Sequence, residues 1–224
     1  MAEIKILHKH TESEPFLVLY KPAGLPSAPL KEGDESALTQ AIALFPELKE
    51  VKGKKEVEYG LLHRIDTATE GILLIASTQT SFDDLSLQQK NGLFEKSYLA
   101  EVEYKGPDVK KSFTIVSKFR PFGEKGAMVK PVFEKGSTAD LKKAGTKLYS
   151  TKITIKGRKA DCSITEGYRH QVRAHLASAG FPIKGDKLYN PHYKEGQKLC
   201  FKAYRIKFTK PQNKENCVFE CSDL

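Results

Sequence analysis

The chain has 224 residues, 39% of them hydrophobic and 9% aromatic, enough apolar material for a sizeable core, which argues against disorder. Its longest apolar runs fall far short of the ~20 residues that a bilayer-spanning helix needs, and the start, MAEIKILHKH, lacks the apolar segment of a secretion signal, so the cytoplasm is the expected compartment. With 37 Lys and Arg against 28 Asp and Glu, the net charge of +9 suits a polyanionic partner, nucleic acid first, although a solvated lysine-rich surface carries the same charge.

Ile4 to His8 alternates weakly as a strand, and Phe16 to Tyr20 (FLVLY) reads as a buried strand that stops at the turn Lys21-Pro22-Ala23-Gly24. Ser36 caps a helix with Leu38, Ile42 and Phe45 on one face; Pro46 ends it, and Lys49 to Glu58 is a charged loop. Residues 61–77, LLHRIDTATEGILLIAS, then enclose a polar island of His63, Arg64, Asp66, Thr67, Thr69 and Glu70 between two apolar runs. Ile72 to Ala76 is aliphatic without alternation and predicts a strand buried on both faces. Asp66 is therefore placed on a loop whose far end enters the core, where a carboxylate needs a hydrogen-bonding or cationic partner to keep its charge. A self-satisfied turn, with Asp66 capping a neighbouring segment, is the other reading of the same residues.

Ser81 to Leu93 predicts a helix ending near Gly92, and Ser97 to Tyr104 a strand with Tyr98, Ala100, Val102 and Tyr104 on one face. Phe113, Ile115 and Phe119 continue the strand signal, and Arg120 to Lys130 is a basic loop or hairpin. Leu148 to Ile155 and Lys159 to Ile164 pair around Gly157. A helix from about His170 to Ala179, capped by Gly180, precedes strands at Leu199 to Phe208 and Val218-Phe219. Strands outnumber helices without βαβ regularity, so the expected fold is α+β: a mixed, largely antiparallel β-sheet with flanking helices, in one domain over 1–224.

Cys162, Cys200, Cys217 and Cys221 form no CxxC pair and are expected as thiols. A metal site of Cys217, Cys221 and a histidine is the weaker expectation, since there is no HExxH and His170 and His175 are five apart, on different faces of a helix. The run from Tyr168 to Leu176 is dense in donors. Arg169, Val172, Arg173 and Leu176 recur at helical spacing, and an arginine among aliphatic side chains needs an anion. Asp66 is the best candidate in the sequence, with a solvated helix face as the alternative.

Taken together, these segments carry a resemblance. HRID-TATEG-ILLIA resembles the HRLDxxTSGLLL signature of the RluA-type pseudouridine synthases, and Glu95 to Ala100 is similar to their K-x-Y-L-A segment. GYRHQVRAHLASAGFPIKGDKLY resembles their G-R-T-H-Q-I-R block, FLVLYKPAGLPS their opening strand and KPxG turn, and LCFKAYRIKF their closing strand. Five pieces in the right order from Phe16 to Phe208 make the resemblance specific. It departs at Glu70, where Ser is usual, at Lys202, where His is common, and at Tyr168-Arg169 in place of Arg-Thr. The N-terminal S4-type RNA-binding module of many relatives has no room before Phe16.

The resemblance implies a pseudouridine synthase fold that isomerises uridine in structured ribosomal or transfer RNA on a flipped-out base, without cofactor or metal. The short apolar runs give no membrane partner, and since nothing in the sequence resembles an obligate interface, a monomer is expected. It makes Asp66 the catalytic carboxylate, Arg173 the guanidinium that keeps it charged, and Tyr98 the active-site tyrosine, each with a structural alternative in a turn, a helix face or a core strand. His63, Arg64, Arg169, Gln171, Leu176 and Lys21 are then substrate-binding candidates. Arg64 would fill the space left by the base or hold a phosphate, unless it pairs with a nearby acid, and Leu176 would be the floor under the base or simply core. Lys21, Arg120, Lys125 and Lys130 would meet phosphates. Two rival readings are a catalytically inactive RNA-binding domain, supported by Glu70, and a carboxylate glycosidase with Glu70 as its second acid.

Overall fold

The computed structural model describes residues 2–104, 106–107 and 110–221. In chain order the first elements are strands β1 (Lys5–His8) and β2 (Phe16–Lys21), helix α1 (Ala37–Leu44), strand β3 (Glu70–Ala76), helix α2 (Gln79–Lys90) and strand β4 (Glu95–Glu101). Strands β5 (Lys110–Phe122) and β6 (Met128–Val132), helix α3 (Thr138–Lys143), and strands β7 (Tyr149–Lys156) and β8 (Lys159–Ile164) follow. Helix α4 (Gln171–Ser178) and strands β9 (Phe201–Thr209) and β10 (Asn216–Glu220) complete the chain. Packing divides it into two compact units, residues 1–96 with 202–224 and residues 97–201.

The first unit is built on β2 and β3, which pair antiparallel with Phe16 opposite Ala76 and Lys21 opposite Gly71. Ile72 to Ala76 have no exposed surface, as their unbroken aliphatic run predicts. Ile72, Leu74 and Ala76 join Phe16, Val18, Phe82, Leu85, Phe94 and Phe208 in one core. β3 also runs parallel to β9, with Gly71 opposite Ala203. A Cβ on Gly71 would stand 2.1 Å from the Ala203 carbonyl oxygen, and the glycine has φ +134°, so only glycine fits. Ser36 caps α1 as expected, whereas short 3-10 turns at Pro46–Glu50 and Glu56–Glu58 occupy part of the expected loop.

In the second unit β8, β7, β5 and β6 follow one another in antiparallel pairs. Gly157, at φ +58°, turns β7 into β8. The basic stretch from Arg120 to Lys130 is a hairpin, with these two residues opposite each other. Helix α3 is absent from the sequence expectations, because TADLKK is too short and polar to show periodicity; Ser137 caps it by accepting from the Asp140 N–H at 3.1 Å. Helix α4 sets Ala174 against Phe119 and Val129. The α+β class and the mixed, largely antiparallel pairing are as expected. All four cysteines are free thiols. No helix among the described residues is long and apolar enough to cross a membrane.

Candidate active site

Both neighbours of Asp66 are tied to the turn that follows β2. Ser27 Oγ donates to the Ile65 carbonyl at 2.7 Å and accepts from the Ile65 N–H at 3.1 Å. On the other side, the Thr67 carbonyl accepts from the Gly24 N–H at 2.8 Å and from the Lys21 ammonium at 3.3 Å. The Asp66 carbonyl itself accepts from the Thr69 N–H at 2.9 Å, closing a tight turn. Asp66 is half-buried at the centre of this clamp. Ser27 lies within the FLVLYKPAGLPS segment but was not singled out there; a small hydroxyl beside a Pro-Gly turn is too common a pattern to mark a tether.

Lys21 is the second arm of the clamp. It has no exposed surface, and its ammonium also donates to the carbonyls of Leu25 at 2.7 Å and Pro22 at 2.9 Å. Burial lowers its pKa to about 8, against the opposing pull of the Asp66 and Glu70 carboxylates. The expectation that Lys21 meets RNA phosphates is therefore corrected: an ammonium without exposed surface, already surrounded by carbonyls, is a tether. His63 is corrected in the same way. Both its ring nitrogens are buried without a hydrogen-bond partner among the described residues, and its ring lies 5.5 Å from that of Phe94. Burial first, then the charges of Lys96 and Lys54, hold its pKa well below the ordinary value, so it is neutral. Arg64 is exposed and donates to Glu58 Oε1 at 3.1 Å, the ion pair that was its structural alternative.

Glu70 hydrogen-bonds the Tyr20 hydroxyl, and burial followed by this carboxylate pushes the Tyr20 pKa up. The Lys202 ammonium lies 5.3 Å from the centre of the Tyr20 ring, and Lys202 stands opposite Glu70 on the paired strands. The two acid and base departures from the sequence motif are thus strand neighbours that share one tyrosine.

In the second unit, Tyr98 on β4 is buried, with one ring face stacked on Phe201 at 5.2 Å and 11°. Arg173 is buried on α4. Its Nε and Nη2 donate to Asp186 Oδ2 and Oδ1, each at 2.8 Å, a bidentate fork that fixes the plane of the guanidinium. The Tyr189 ring lies 5.3 Å from the guanidinium carbon. Asp186 has no exposed surface and also accepts from the Leu188 and Tyr189 N–H groups at 3.0 and 3.2 Å. Sequence reasoning looked for an anion for Arg173 and missed Asp186. Gly185, just before it, has φ +73°, and a Cβ there would stand 1.8 Å from the Lys198 carbonyl oxygen, so the turn that carries Asp186 requires glycine.

Three further candidates change character. His170 is left-handed, at φ +55°, so α4 begins at Gln171 and Arg169 lies outside the helical stripe; its Nη2 instead donates to the carbonyls of Gly126 and Met128. Gln171 is spent structurally: its side chain accepts from the Tyr168 N–H at 2.9 Å and donates to the Ser150 carbonyl and Thr151 Oγ1. Leu176 has no exposed surface and is core. Arg120 and Lys130, expected at phosphates, both bind Asp140, at 2.6 and 2.8 Å.

A family model described as RNA pseudouridylate synthase matches residues 15–178. The chain belongs to this family. The membership bears out the resemblance read from the motifs. Among pseudouridine synthases, the chain is 27% identical over 208 residues to an uncharacterized RNA pseudouridine synthase, YjbO, of Bacillus subtilis, covering 93% of this chain and 69% of that protein. It is 28% identical over 222 residues to ribosomal large subunit pseudouridine synthase D of Neisseria meningitidis serogroup A, covering 93% of this chain and 56% of the relative. The chain thus spans little more than half the length of that relative. A solved structure titled Human RNA Pseudouridylate Synthase Domain Containing 1 superposes with a TM-score of 0.72 over 99% of this chain and 84% of the other, at 18% identity, a likeness of fold. Within the pseudouridylate synthase match, residues 15–178 include Lys21, Ser27, Asp66, Tyr98 and Arg173, while Asp186 and Lys202 lie beyond it.

Proposed function

We propose that the chain isomerises specific uridines in structured RNA to pseudouridine, in the cytoplasm, as a single catalytic domain and a monomer, with Asp66 as the catalytic carboxylate. Besides family membership, the observation that carries the reading is the two-sided tether on Asp66. Fixing the backbone before and after one carboxylate pre-organises it for a single task, which is what catalysis by position requires. The reaction breaks the N1–C1′ bond, turns the base and forms a C1′–C5 bond; C5 loses a proton and N1 gains one, so neither oxidant nor group donor enters. Asp66 serves in the ionised form, either attacking the sugar or taking a proton from it.

On the motif resemblance, Tyr98 and Arg173 complete the catalytic set. Tyr98 offers a ring face to the extruded base and a hydroxyl to the C5 proton, and Arg173 favours the charged carboxylate. Extruding the uridine costs roughly a few kcal/mol, recovered through contacts to the base and the backbone. Arg64, with an exposed guanidinium, is the residue beside Asp66 suited to a phosphate. Because a relative is named for the large ribosomal subunit, ribosomal RNA is the first substrate class to test and transfer RNA the second. Glu70, the support for an inactive RNA-binding domain, has a partner in Tyr20, which favours reading it as a structural acid.

Mapping pseudouridines in total RNA with and without the gene tests the reading. At least one site is expected to vanish on deletion and to return with the wild-type gene but not with Asp66→Asn. An unchanged map contradicts it.

A further inference from the structure

We propose that the exposed face of the β5–β7–β8 sheet is a docking surface for the sugar–phosphate backbone of a double-helical segment of the RNA. The register aligns three lysines: Lys110 stands opposite Lys156, and Lys156 opposite Lys159. Thr151, Ile153 and Ile155 on β7 point inward and are buried, so Lys152, Thr154 and Lys156 share the outer face. Ala160, Cys162 and Ile164 do the same for β8, leaving Lys159, Asp161 and Ser163 outside. Lys110, Lys152, Lys156 and Lys159 are all exposed. None of the four makes an ion pair among the described residues, and Asp161 is the one acid on the outer positions of these paired stretches.

Like charges directly opposite on neighbouring strands oppose folding. Lysines often guard a sheet edge against wrong pairing, but β7 lies between β5 and β8 and has no open edge, so that explanation fails for Lys152 and Lys156. Solvation alone leaves the repulsion in this register unopposed, whereas an external polyanion would offset it. The lysine row spans roughly 10 Å across the strands, and Lys152 to Lys156 roughly 13 Å along one, an area for several phosphates. Ser112, Thr114, Thr154 and Ser163 place hydroxyls between the ammonium groups, and Ser112 Oγ lies 3.0 Å from Thr154 Oγ1. Hydroxyl and lysine donors suit phosphate oxygens and 2′-hydroxyls. The outer positions paired here present no aromatic ring for base stacking, so the surface reads a duplex backbone without reading its sequence.

This inference rests on the RNA-modifying reading, and a binding measurement separates the two. The probes are a 20-base-pair RNA duplex and protein-free ribosomal RNA, titrated between 50 and 200 mM salt. The triple variant Lys110→Gln, Lys156→Gln, Lys159→Gln is compared with a control of equal charge change, Lys5→Gln, Lys49→Gln, Lys90→Gln. The slope of log affinity against log salt is expected to become shallower by about 2 in the first variant only, with about tenfold weaker binding near 150 mM. Its melting temperature without RNA is expected to hold or rise, because repulsion has been removed. Equal slopes for the two variants, or a change confined to binding of anionic lipid vesicles, would overturn the proposal. The expected slope difference between the variants, together with a wild type that isomerises no uridine, would sink the activity reading and leave the docking surface standing.

Discussion

An ammonium sealed from water keeps its charge only where oxygen atoms replace its hydration shell, and Lys21 has three carbonyls for this purpose. Lys21→Met removes all three bonds from the turn beside Asp66 and is expected to lower stability by about 3 kcal/mol in urea unfolding, with a larger proportional loss of activity. The pH dependence has a definite sign. The folded pKa, about 8, lies below the ordinary 10.5, so the unfolded chain binds the extra proton between these values. The penalty for burying the ammonium is full below about pH 8 and gone above 10.5. Wild type is therefore expected to gain stability relative to Lys21→Met across that window. Asp186 is the corresponding buried charge of the second unit. Asp186→Asn removes the bidentate carboxylate that holds the plane of the Arg173 guanidinium, at an expected cost of about 3–5 kcal/mol together with a fall in kcat.

Among the elements, the β3–β9 pairing depends on one residue without a side chain. Gly71→Ala would press a methyl group against a backbone carbonyl that cannot swing aside, in a conformation that a side chain also disfavours. A loss of at least about 3 kcal/mol is expected in denaturant unfolding. Helix α4 brings His175 between Ser117 Oγ and Thr151 Oγ1, each at 2.8 Å, with no exposed surface. Burial depresses its pKa from 6.5 to about 4. The folded protein refuses a proton that the unfolded chain accepts, so stability present above pH 6.5 is lost as pH falls toward 4. The loss is expected to reach roughly 3 kcal/mol, and His175→Gln should flatten that part of the profile in calorimetry run between pH 7 and 4.5.

For the molecule as a whole, the sequence was most legible where composition leaves one choice. FLVLYK and EGILLIA carry too little polar material to face water, and they form the paired strands at the centre of the first unit. Partnerships were less legible. Lys21 is a basic residue in the KPxG turn, which the resemblance sets against phosphates, and only the three-dimensional path of the turn shows it enclosed. Arg169 was placed on a helix that begins two residues later, because nothing local announces a left-handed His170. Asp186 lies thirteen residues beyond Arg173, outside any helical spacing rule. The motif order, by contrast, gave the family correctly, since it depends on residue identities and not on knowing who touches whom.

The most direct test of the central claim is release of tritium from C5-labelled uridine in ribosomal and transfer RNA, with wild type and Asp66→Asn compared at equal RNA binding. Release by the wild type and none above background by the variant is the expected result. Equal release from both, or none from either across both RNA classes, would contradict it.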